Sequence, residues 1–188
     1  MYRSIVLSVL GIALLHTTAH AQDSLTACPR DVSFWADQCE GYHADICPDG
    51  MQRLARRVMD RANLGQWGMG DGTFESRADM MVLPDSALVT ALCSQLQNRQ
   101  DPRDHAEAEY IALLLNISVG ALPVEAPISR DIEGSIGRLV GSFEDALNKN
   151  RNLDTWQQIV EQVNLGNIDV PECPDAYQIF HHVAPCGD

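Results

Sequence analysis

The chain reads as an all-α domain tied by disulfides. Three observations carry that expectation. Apolar residues recur at helical spacing in five successive segments. No stretch shows sustained two-residue alternation rich in β-branched residues, so no sheet is expected. Six cysteines (Cys28, Cys39, Cys47, Cys93, Cys173 and Cys186) follow an N-terminal segment with the pattern of an export signal.

In that segment Arg3 supplies the positive charge, Ile5 to Leu15 is apolar except for Ser8 and Gly11, and Ala19-His20-Ala21 fits a small-x-small cleavage site. The apolar run falls well short of the ~20 residues that span a bilayer. Residues 1–21 are therefore expected to be removed, leaving 22–188 as a single mature domain of 167 residues with no membrane span. A chain of this length buries about 70% of its extended surface, enough for a true core.

Losing Arg3 leaves 12 basic against 26 acidic residues, a net charge of −14. That surface repels phosphate backbones and anionic lipid, so neither nucleic acid nor membrane is an expected partner. An even cysteine count in an exported chain points to three disulfides, and all fifteen pairings stay open. Zinc-type spacing is absent, and no C-x-x-C pair occurs.

Taken in order, Cys28 to Cys47 is the densest stretch, with Phe34, Trp35, Tyr42 and His43 among its cysteines. It reads as a clasp, with Ser33 capping a short helical turn through Phe34, Trp35 and Gln38. Pro48-Asp49 opens the first full helix, whose inner face is Met51, Leu54, Ala55, Val58 and Ala62, with Gly65 as its C-terminal cap. Gly65 to Gly72 holds four glycines and reads as a loop. It lacks the preceding strand and the Gly-Lys-Ser/Thr of a phosphate cradle.

Pro84-Asp85 starts a helix facing inward through Leu88, Val89, Leu92 and Leu96, with Cys93 placed to staple it elsewhere. Asp101-Pro102 is a strong start signal for a third helix running to about Gly120. Its second half is apolar on nearly every side, which marks it as the central helix. A proline-bearing linker, Leu122 to Ile128, precedes a fourth helix expected to begin at Ser129 or Asp131. Gly134, Gly137 and Gly141 fall inside it, each costing about 1 kcal/mol against alanine and suggesting close packing. A fifth helix runs from Leu153 to Leu165, with Trp156, Ile159, Val160 and Val163 inward and Gly166 as cap. The tail carries Cys173, Cys186 and a short helix across Asp175 to Val183.

The chemistry-bearing residues do not assemble into a known constellation. There is no G-x-S-x-G, paired cysteines offer no thiolate, and His43, His105, His181 and His182 show no metal-ligand spacing. No catalytic residue, metal or cofactor is assigned. Asn116-Ile117-Ser118 matches the glycosylation sequon but lies in the most apolar helix, and reads as chance. Trp35, Tyr42 and Trp67 could form a stacking surface for a sugar or protein, against the alternative that Trp35 plugs the core. Trp35, Tyr42 and His43 are the ligand-binding candidates.

Cys28-Pro-Arg-Asp-Val-Ser-Phe-Trp-Ala-Asp-Gln-Cys39 resembles the Pro-Gly-Phe-Trp motif that opens a group of bacterial exported helical domains. Ala112-Leu113-Leu114-Leu115-Asn116-Ile117-Ser118-Val119-Gly120 is similar to that group's helix ending in Leu-Asn-x-x-x-Gly. Leu153 to Gly166 resembles its closing helix and Asn-x-Gly stop. The chain departs at Val32-Ser33, where the group has Pro-Gly. The resemblance implies an exported or surface-associated role and no assigned activity. The expected function is a non-enzymatic exported domain serving binding or structure, with another protein or a surface glycan as partner. The alternatives are a small secreted hydrolase using an acid pair or a metal, and an acidic inhibitor-type protein that docks on a basic partner.

Overall fold

The computed structural model describes residues 29–39, 50–69, 73–128 and 134–166. They form seven helices and one short hairpin: α1 (Val32–Cys39), α2 (Gly50–Arg61), β1 (Gln66–Gly68), β2 (Phe74–Ser76), α3 (Arg77–Val82), α4 (Asp85–Gln97), α5 (Pro102–Ser118), α6 (Ile136–Lys149) and α7 (Leu153–Asn164). The all-α class holds. Two short helices, α1 and α3, join the five larger ones.

Helix α5 is the axis of the fold. Asp101 caps it by accepting from the Arg103 and Asp104 N–H groups, and Pro102 occupies its first turn. From Ala106 to Ile117 every residue except Glu109 is buried, and α1, α2, α4, α6, α7 and β1 all pack on it. At its far end Arg57 Nη1 donates to Ser118 O at 3.2 Å, and Gly120 turns the chain at φ +80. The inner faces predicted for α2 and α4 are buried as expected, Val89 being half-buried. Along one flank Trp67, Tyr110 and Phe143 stack in sequence, with centroids 6.2 and 5.9 Å apart.

Several local expectations are corrected. Asp31, not Ser33, caps α1: its Oδ1 accepts the Phe34 N–H at 2.8 Å, so the helix starts earlier. Helix α2 ends at Arg61 and not at a glycine cap. Arg77 satisfies its last carbonyls instead, donating Nε to Ala62 O at 2.8 Å and Nη2 to Met59 O at 3.2 Å. Gly65 then donates its N–H to Asn148 Oδ1 at 2.8 Å. The segment read as pure loop contains β1, paired antiparallel with β2 in the register Gln66↔Ser76, Trp67↔Glu75, Gly68↔Phe74. Three-residue strands are too short for alternation to show in a sequence.

Helix α6 starts at Ile136 with Ser135 as N-cap, later than expected, because the linker folds back on it. Ile136 and Gly137 donate their N–H groups to Ala126 O and Val124 O, both at 2.9 Å. The three glycines read into this helix have separate roles. Gly134 lies before it at φ +153. Gly137 admits Val124, whose Cγ1 would lie 2.7 Å from an added Cβ. Gly141 has open space where a Cβ would go.

The α6–α7 turn holds two asparagines in left-handed conformation, Asn150 at φ +47 and Asn152 at φ +55. Asn150 closes α6, its N–H meeting Ala146 O and Leu147 O. Replacing it with glycine should leave stability unchanged or slightly raised. Alanine at the same position should cost about 1 kcal/mol, since a Cβ is disfavoured there. Thermal melts of the two variants check this.

Candidate functional site

The clasp is attached to the bundle at two places. Cys39 is joined to Cys93 of α4, the Cα atoms 5.6 Å apart. Four residues earlier, Trp35 is fully buried and donates Nε1 to Asn116 Oδ1 at 3.2 Å. Asn116 is itself 0% exposed and binds the backbone of Arg30 on both sides. Its Oδ1 accepts the Arg30 N–H, and its Nδ2 donates to Arg30 O, each at 2.8 Å. The same Nδ2 donates to Asn164 Oδ1 at 2.9 Å, which draws α7 into the network. Asn164 Nδ2 donates in turn to Glu109 O and Oε2, at 3.1 and 2.8 Å. Two side-chain amides thus join the N-terminal segment, α5 and α7.

Glu109 sits at the edge of this network, and its carboxyl is pushed up to about 7. Burial is the main cause; the Asn164 hydrogen bond opposes it, Glu161 and Asp31 add repulsion, and Arg99 partly offsets them. Because the folded value exceeds the unfolded one, the native state holds this proton more tightly. Its contribution to stability should be full below pH about 4.5 and be lost as pH rises through about 7, ~3 kcal/mol at most. Glu109→Gln should flatten that part of the slope, read from urea melts between these limits.

A second buried polar cluster holds the hairpin. Glu107, 0% exposed, accepts from Gly68 N and from Arg103 Nε, both at 2.8 Å. Burial raises its pKa against the pull of both partners. Gly68 lets this contact close, because an added Cβ would stand 2.8 Å from both Gln95 Oε1 and Glu107 Oε2 and force one of these side chains to move. Arg103 also donates to Leu147 O at 3.0 Å and stacks over Phe74. One turn further along α5, the Tyr110 hydroxyl donates to Glu144, which also accepts the Asn63 N–H at 2.9 Å. Burial, with Glu144 beside it, drives the Tyr110 pKa upward.

Of the residues singled out from sequence, Trp35 and Trp67 are core plugs, 0% and 1% exposed, and present no face to a ligand. Tyr42, His43, Cys28, Cys47, Cys173, Cys186 and the tail helix lie outside the described residues. Asn116 of the sequon is a buried fastener, and His105 Nε2 lies 2.9 Å from Arg99 O. Among the described residues no group of three His, Cys, Asp or Glu side chains is placed to hold a metal. No helix among them is long and apolar enough to cross a membrane.

The described surface carries a groove of about 430 Å³ between α6 and α7. Trp156, expected inward, stands half-buried in its wall beside Asp145, Arg151 and Asn152. Sequence reasoning passed over it. The available signal was Asn150-Arg151-Asn152, a turn with two residues suited to left-handed backbone, directly before an aromatic one turn into the next helix. A smaller groove, about 260 Å³, lies over the Cys39–Cys93 bridge between Val89 and Gln97.

The fold and these fastenings define a class: an all-α domain cross-linked between its first helix and α4. No protein-family model, curated protein or solved structure matches the chain.

Proposed function

We propose that this chain is an exported, non-enzymatic helical domain that binds a partner outside the cytoplasm. The observation that carries the reading is the Cys39–Cys93 bridge, a cross-link between distant segments that persists in oxidising compartments. The sequence pattern of residues 1–21 supports export, as does the likeness to exported Pro-Gly-Phe-Trp domains. The non-enzymatic reading draws support from how three carboxylates packed on the bundle are used. Glu107 closes the hairpin onto α5, Glu109 anchors Asn164, and Glu144 holds Tyr110 and Asn63. Each is engaged in joining elements.

Expression of the full chain in a bacterial host, followed by fractionation and N-terminal sequencing, tests the proposal. The expected product lies outside the cytoplasm, begins at Gln22, and gains mass by alkylation only after reduction. A cytoplasmic product with its first residues retained and its thiols free would overturn it.

A further inference from the structure

Helix α6 carries a glycine that packing does not require. Gly141 lies in the helix interior, where glycine costs about 1 kcal/mol against alanine, and an added Cβ would meet nothing within 4 Å. Gly137, one turn earlier, admits Val124 and so has a packing reason. The open space over Gly141 is the groove between α6 and α7.

What surrounds that space is a mixed set of groups around one aromatic side chain. Trp156 packs part of its ring on the core and leaves the rest to the groove. Asp145 is oriented by two cations, Lys149 Nζ at 2.5 Å and Arg151 Nη2 at 3.0 Å. Ser142 adds a hydroxyl. Asn152 makes no capping bond with its side chain, although it occupies the N-cap of α7. It also holds φ +55, in the left-handed region that asparagine adopts more readily than other residues with a Cβ.

A pyranose matches this arrangement. It has an apolar C–H face that lies on an aromatic ring, and a rim of hydroxyls that each donate and accept. The groove supplies the ring, an acceptor-only carboxylate, a donor-only guanidinium, and an amide and a hydroxyl that do both. Its volume lies within the range of small-ligand sites, about 300–1,000 Å³. Charge selects among sugars. The chain carries a formal net charge of −13, which opposes anionic polymers, while Lys149 and Arg151 neutralise Asp145 and leave little to attract a cation.

We propose that the groove lined by Gly141, Asp145, Arg151, Asn152 and Trp156 binds a neutral saccharide, with one pyranose ring stacked on Trp156. This names the partner class for the exported binding domain and rests on that reading for its setting only. Binding is measured on purified chain, so failure of export and failure of sugar binding are separate results.

The test is a titration of the exported, purified protein with maltose, cellobiose and the disaccharide of N-acetylglucosamine, followed by indole N–H signals in NMR. Trp35 and Trp67 are buried and serve as internal references. At least one sugar should shift the Trp156 indole with a dissociation constant of about 1 mM, leaving the other two unmoved. Gly141→Leu places a side chain in the groove at a site where an added Cβ meets nothing within 4 Å, so it should keep or raise the melting temperature and weaken binding at least tenfold. Asn152→Gly retains the backbone conformation, removes the amide, and should weaken binding about fivefold. The proposal is overturned if no sugar in the panel shifts Trp156, or if the folded Gly141→Leu protein binds as the parent does.

Discussion

Replacing Asn116 with alanine is expected to destabilise the protein by about 3 kcal/mol, the largest effect of any single polar substitution in the described core. The reason is the number of groups that lose a partner together. The Arg30 N–H, the Arg30 carbonyl, the Trp35 indole N–H and Asn164 Oδ1 all meet this one side chain. Each net hydrogen bond contributes only about 1 kcal/mol, but a buried group left unpaired costs its desolvation as well. The loss should be local as well as global. Hydrogen exchange should quicken in residues 30–35 more than in α4, because the amide is what attaches that segment to α5. Urea denaturation with an alanine cost below about 1 kcal/mol would show that the network is worth little. Asn164→Ala, which leaves the Arg30 contacts intact, should cost less than Asn116→Ala.

Removing the Cys39–Cys93 bridge by a double alanine substitution is expected to cost up to about 4 kcal/mol. The estimate comes from the sequence separation of 54, through the closure entropy that the bridge removes from the unfolded chain. Helix α1 is eight residues long, too short to persist alone in water, and it is held by Trp35 at one side and Cys39 at its end. Without the bridge, Asn116 becomes the main polar anchor of the segment. The two losses are therefore expected to be non-additive, and a double-mutant cycle between Asn116→Ala and the cysteine pair measures the coupling. Full additivity would mean that the anchors act independently.

The larger helices could be read from the chain because their signals are local. Asp101-Pro102 both starts and caps α5, and the apolar second half of that helix marks it as central before any packing is seen. The inner faces of α2 and α4 follow from spacing, since a residue three or four positions on returns to the same side. Gly120 and Gly166 end their helices with positive φ, as glycine after a periodic run suggests.

The errors fall where a distant group took over a local job. Arg77 caps α2 from fifteen residues beyond Ala62, so the nearby Gly65 was not needed. The linker at Val124 and Ala126 sets the first turn of α6, which moved its start past the residues that looked like caps. The tryptophans divide for a similar reason. Three tryptophans are equivalent in composition, but only their surroundings decide which is a core plug. Trp35 and Trp67 went inward against Asn116 and Tyr110, leaving Trp156 at the groove.

What the sequence determined by itself is the helical class, the central place of α5, the strong negative charge and the pattern of an export signal. These rest on periodicity, capping chemistry and composition, all of which act within a few residues or sum over the whole chain. Tertiary structure alone decided that Cys39 pairs with Cys93, that Asn116 gathers the clasp, and that α6 and α7 leave a groove over Gly141. Each of those depends on which groups come to share one small volume, and spacing along a chain does not specify that.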